Sequence, residues 1–167
     1  MLPEPLHPAI VHFPLVLAVL APVAVVIALW SIRRGGAARP IWMIVIGLLL
    51  LLAGTSRLAI QTGEAEEDRV ESVVTHDALE DHEEGGERLF ILSAIVLVMS
   101  LVGLVSGRLG DVARPLVLAA TIAIVVAALR VGESGGELVY VHGAASAYSG
   151  DGVPAAYEEA DKEAEDH

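Results

Sequence analysis

The sequence contains no cysteine. That absence excludes disulfide bridges, thiolate-held iron–sulfur clusters and thioether-linked haem, but leaves histidine-ligated cofactors open. Aromatic residues are scarce, at 4% of the chain, and 10 basic residues stand against 22 acids for a formal net charge of −12. Such an excess of negative charge argues against nucleic acid as a partner, because phosphate backbones are bound by clustered Lys and Arg. Also missing are the phosphate-binding glycine loops of nucleotide-binding folds, the zinc-protease helix motif and the nucleophile elbow of hydrolases. The segment "GESGG" at 132–136 places a serine among glycines, but outside the strand–turn–helix setting a hydrolase requires.

What the chain has in abundance is apolar length. Its 167 residues are 54% hydrophobic, with a mean hydropathy of +0.64. A helix needs about 20 apolar residues to cross the hydrocarbon core. Four runs qualify, at 10–32, 41–60, 89–106 and 112–131. None alternates with the period of a barrel strand, so helices are the expected way to satisfy the backbone in lipid. The predicted fold is all-α, an integral membrane up-down-up-down four-helix bundle over residues 1–145. Residues 146–167 form an acidic tail, expected to be disordered. The leader "MLPEPLHPA" carries no positive charge, so the first run is read as a retained helix and not a cleaved signal.

Charge sets the expected direction. The short connection "SIRRGGAARP" carries Arg33, Arg34 and Arg39, and "GRLGDVARP" carries Arg108 and Arg114 against Asp111. By the positive-inside rule both face the cytoplasm. The N-terminus, the acidic segment at 63–87 and the C-terminus then lie outside, as expected for a multi-pass protein of a bacterial inner membrane. Pro40 and Pro115 fall near helix starts, where proline is tolerated, while Pro14 and Pro22 lie inside the first span.

This topology gathers His7, His12, His76, His82 and His142 at the outer face, with His167 in the tail. In an up-down bundle the first and third spans are diagonal. His12 heads the first, and His82 lies shortly before the third, so they are the expected ligand pair across the bundle mouth. His7 and His142 form a second pair or support the first. Opposed imidazoles suit a b-type haem, and histidines with neighbouring carboxylates suit a Cu, Zn or Fe ion. Each histidine taken alone fits a structural or solvated role; only the constellation points to a cofactor. His76, mid-loop among acids, is the weakest of them. Arg57 and Arg130, near the outer ends of the second and fourth spans, are candidate partners for haem propionates, or snorkel to the interface or pair with Glu64 or Glu133. Glu83, Glu84 and Glu87 accompany His82 but lack the paired Glu-x-x-His pattern of di-iron bundles.

Four segments, "LHPAIVHFPLVL", "TGEAEE", "HEEGGER" and "GGELVYVHGAA", occur in the order and membrane placement of a bacterial family. The chain resembles the membrane proteins catalogued as domain of unknown function 2231, from about Leu6 to Ala145. The matching positions are His7, His12, His82 and His142; His76 has no counterpart. Some relatives occur fused to Rieske iron–sulfur or c-type cytochrome domains, which implies electron transfer and favours haem. The expected function is therefore a membrane-embedded redox protein, an electron-transfer component more than a stand-alone enzyme. Its partners are the lipid bilayer and a separate cytochrome or Rieske-type protein, with self-association left open. A non-haem metal protein and a cofactor-free anchor subunit are the alternatives.

Overall fold

A computed structural model describes residues 5–148. Four helices in it are long and apolar enough to cross a membrane: α1 (His7–Arg33), α2 (Ala38–Glu64), α4 (His76–Val102) and α5 (Arg108–Tyr140). A short helix, α3 (Glu67–Glu71), links α2 to α4, and a 3-10 turn, Ala144–Tyr148, follows α5. There is no strand among the described residues. The expected disorder of the tail concerns residues that, from 149 onward, lie outside those described.

The bundle closes because each spanning helix carries a buried seam at alternating three- and four-residue steps. On α1 the seam is Pro14, Ala18, Ala21, Val25 and Ala28; on α2 it is Trp42, Val45, Leu49, Leu52, Ser56 and Ala59. Leu89, Ser93, Val96 and Ser100 continue it on α4, and Val117, Thr121, Ile124 and Ala128 on α5. That repeat is the knobs-into-holes pattern of a four-helix bundle. The alanines of α1 let backbones approach closely, which matters where lipid supplies no hydrophobic drive between helices. Neighbours pack in the ring α1–α2–α4–α5, so the first and third spans are diagonal as expected. The buried hydroxyls cost little, since Ser56, Ser93, Ser100 and Thr121 each donate to a carbonyl on the preceding turn. Outward faces are apolar: Ile44, Val98 and Leu129 are all more than 60% exposed. Lipid is the environment that such a surface requires.

The helices outrun their hydrophobic stretches. α4 starts at His76, well before the apolar run expected from 89, so the acidic segment before the third span is largely helical. His82 therefore sits inside a helix, not ahead of one. α5 likewise extends to Tyr140. In α1 the helical pattern is interrupted at Val11. Pro14 has no N–H to return to the Ile10 carbonyl, which accounts for the break.

The arginine-bearing connections meet at one end. There Trp42 Nε1 donates to the Ser100 carbonyl at 2.8 Å, and Arg114 Nε donates to the Gly103 carbonyl at 2.9 Å. Arg114 is buried, and its second contact is Asp111 at 3.0 Å. A guanidinium on the last carbonyls of α4 opposes the negative end of that helix dipole. Gly103 has no side chain because a Cβ there would collide with the Trp42 indole.

Candidate functional site: a histidine pair at the bundle mouth

The opposite end holds the histidines. Across the diagonal, the rings of His7 on α1 and His82 on α4 face each other edge to face. Their centroids are 6.1 Å apart and their planes 89° apart. Both rings are half-buried.

Hydrogen bonding fixes the tautomer of His7 and is consistent with the same tautomer in His82. His7 Nδ1 lies 2.9 Å from the Ala59 carbonyl, which can only accept, so Nδ1 carries the hydrogen. Thr62 Oγ1 donates to that same carbonyl and also approaches Nδ1, at 3.3 Å. His82 Nδ1 lies 2.9 Å from Ser134 Oγ, and Ser134 gives its one hydrogen to the Val131 carbonyl at 3.1 Å. With that hydrogen on the Val131 carbonyl, the serine oxygen can accept from Nδ1–H of His82. In this neutral tautomer both imidazoles keep Nε2 as a lone-pair atom. Anchoring Nδ1–H to oxygen in this way is how proteins present Nε2 to a metal.

Two glycines make room for the rings. A Cβ on Gly135 would stand 2.9 Å from His82 Cε1, and one on Gly63 would stand 3.2 Å from His7 Cε1. Each glycine lies on a helix adjacent to its histidine, so the second diagonal yields its side-chain volume to the first.

Glu66, beside α3, holds the mouth together. Its Oε1 accepts from the backbone N–H of Leu6 at 2.8 Å and of His7 at 3.2 Å. Its Oε2 accepts from the Tyr148 hydroxyl at 2.7 Å. One carboxylate therefore caps the start of α1, where the helix dipole favours negative charge, and ties down the segment after α5. Burial and the hydrogen bond to Glu66 push the Tyr148 hydroxyl up to about 12, with the Glu66 charge adding to the effect and Arg69 opposing it. The Arg69 guanidinium stands 5.3 Å over the Tyr148 ring.

The other sequence-derived candidates lie elsewhere. His12 is exposed on the outer surface of α1, beside exposed Phe13, and takes no part in the pair. The fifth residue before it, His7, occupies the position expected for His12. His142 lines a cleft of about 280 Å³ with Thr75, Asp77, Asp81, Ser134 and Glu137. It therefore neighbours His82 through Ser134 without touching it. His76 is exposed and 3.6 Å from Glu71. Arg57 is paired with Glu64 at 3.7 Å, and Arg130 is exposed; among the described residues no hydrogen bond or ion pair joins either to a histidine. Glu84 pairs with Arg88. Among the described residues no group of three or more His, Cys, Asp or Glu comes close enough to share a metal ion.

Sequence reasoning named His7 and His82 but missed Ser134, Glu66 and Gly63. Gly63, Glu66 and Gly135 stand in the motifs "TGEAEE" and "GGELVYVHGAA", so the signal was present without a geometry to interpret it.

No curated protein and no solved structure matches the chain. The family described as predicted membrane protein (DUF2231) matches residues 3–147, nearly all of the described bundle. With four membrane-crossing helices and a match of that length, the chain belongs to the DUF2231 family of membrane proteins.

Proposed function

We propose that the protein is a membrane-embedded redox carrier in which His7 and His82 hold a b-type haem. The supporting observation is the pair itself: two imidazoles on diagonal helices, each with Nδ1 anchored to oxygen, 6.1 Å between centroids. An ion bonded to two Nε2 atoms at about 2 Å holds imidazole centroids roughly 6 Å apart. In number and spacing the donor set matches that requirement. It also favours haem over a bare ion, because the macrocycle supplies four donors and asks the protein for two. A tetrahedral zinc or copper site needs three or four protein ligands.

Bound there, the haem would supply one-electron transfer. The chain's own residues do the rest. The Ala59 carbonyl and Ser134 orient the rings, Glu66 fixes the backbone that carries His7, and Gly63 and Gly135 leave the rings their volume. His12 and His142 would be outside this ligand set. The histidine end would face the periplasm across a bacterial inner membrane, since Arg33, Arg34, Arg39, Arg108 and Arg114 gather at the other end. Electrons would pass to a separate cytochrome or Rieske-type partner docked at that acidic mouth.

Oxidised and reduced absorption spectra of the detergent-purified protein test this reading. A Soret band with low-spin visible bands is expected, lost in His7→Ala and in His82→Ala and retained in His12→Ala. A protein expressed with ample haem that shows no Soret band, or one indifferent to His7 and His82, refutes it. Stoichiometric metal without porphyrin would select the non-haem alternative.

A further inference from the structure

Below the histidine pair, each spanning helix carries one exposed basic side chain at the same level. His12 is five residues from His7 along α1, and Arg88 is six from His82 along α4. Arg57 is six residues from Gly63, which abuts His7, and Arg130 is five from Gly135, which abuts His82. At 1.5 Å per residue all four stand about 7.5–9 Å beneath the pair. All four are exposed, and the surfaces beside them are apolar: Phe13, Leu58 and Leu129 are each more than half exposed.

Two of these arginines show which way they reach. Arg57 contacts Glu64, nearly two turns nearer the histidine end, and Arg88 contacts Glu84, one turn nearer it. The chain runs in opposite directions along α2 and α4, so the shared direction follows the acidic partners at the histidine end and not helix polarity. Long basic side chains lean this way when their stems lie along apolar surface and their heads seek a polar layer. Arg130 has no ion-pair partner among the described residues, and the Arg57 pair is exposed and weak at 3.7 Å.

A second basic level lies at the other end. Along their own helices, Arg33 is 21 residues from His12, Arg39 is 18 from Arg57, and Arg108 is 22 from Arg130. These separations correspond to about 27–33 Å, the thickness of a hydrocarbon core of about 30 Å. Arg114, which falls between the two levels, is buried inside the bundle and does not meet lipid.

We infer that His12, Arg57, Arg88 and Arg130 form a collar that binds the phosphate groups of the phospholipid leaflet at the histidine end. The collar fixes the depth of the bundle, and His7 and His82 then stand in the headgroup layer, clear of the hydrocarbon. Nothing in this inference requires a cofactor.

The cysteine-free chain permits single nitroxide labels at Leu58→Cys and Leu129→Cys, read by oxygen and nickel accessibility in phosphatidylethanolamine–phosphatidylglycerol vesicles. Labels on an otherwise unaltered chain should report the headgroup–acyl boundary. In the Arg57→Gln/Arg88→Gln/Arg130→Gln variant the boundary should retreat toward the first acids, and the label at 129 should read about 4.5 Å deeper, the rise from Arg130 to Glu133. If the triple variant does not fold, Arg130→Gln alone, at an exposed unpaired position, should move the same label in the same direction. In vesicles of digalactosyldiacylglycerol, which has no phosphate, the difference between parent and variant should vanish. Equal depths in the phospholipid vesicles overturn the inference. A difference that persists without phosphate also overturns it, because the arginines would then be seeking only water.

Discussion

Adjacent glycines on α5 give opposite expectations for the same substitution. At Gly135 an added methyl carbon would sit 2.9 Å from His82 Cε1, whereas at Gly136 it would meet nothing within 4 Å. Relieving the first contact requires a relative movement of roughly 0.7 Å to reach ordinary van der Waals distance. Movement of the ring away from Ser134 would stretch the 2.9 Å bond that orients His82 past useful hydrogen-bond length. Overpacking of this kind costs about 1–3 kcal/mol. Gly136→Ala carries no such contact and gains about 0.5–1 kcal/mol from helix propensity. That gain is common to both helical positions, so the two variants should differ by the overpacking cost alone, about 1–3 kcal/mol, read as the shift in an SDS-denaturation midpoint followed by tryptophan fluorescence. Only Gly135→Ala should alter the environment of the His82 ring, visible as a changed imidazole nitrogen chemical shift in a selectively labelled sample. Equal stabilities, or an unchanged His82 signal in Gly135→Ala, would refute the packing argument for the site.

The clasp at Glu66 predicts coupling: Glu66→Gln and Tyr148→Phe should be non-additive by about 1 kcal/mol in a double-mutant cycle, while strict additivity would mean that the bond is not maintained in solution. Because Tyr148 titrates in the folded protein at about 12, above the usual tyrosine value of about 10, its contribution is intact below pH 10. That contribution fades as pH rises toward 12, so the Tyr148→Phe variant should lose less stability over this window than the parent does. At the arginine end, Arg114→Met leaves the Gly103 carbonyl without its side-chain donor and should destabilise by about 1–3 kcal/mol, where an effect below 0.5 kcal/mol would argue against the cap. Gly103→Ala should be worse than Gly47→Ala, whose added carbon meets nothing, because it drives the Trp42 indole off the Ser100 carbonyl.

The four spans and their diagonal arrangement were legible because hydropathy and loop length decide them almost alone. The third span shows where that stops. Hydropathy marks where lipid begins, and α4 is helical for three turns before it, through residues that are acidic but still good helix formers. That misplacement shifted the pairing. With His82 inside the helix and one turn higher on the bundle, the partner at its level is His7, and His12 falls below it on the outward face of α1. Sequence spacing gives the height of a residue only once the helix start is known. Ser134 and Glu66 were hidden for a different reason. They act through single hydrogen bonds between segments 52 to 82 positions apart, which leave no periodicity to read.

The clasp has one more consequence. Because Leu6 and Tyr148 grip the same carboxylate, both ends of the described residues lie together, beside the imidazoles. A module grafted to either end would be delivered to the same spot. For a circular permutant, a short bridge joins the old ends, and the Gly35–Gly36 turn at the opposite pole offers the place to open the chain.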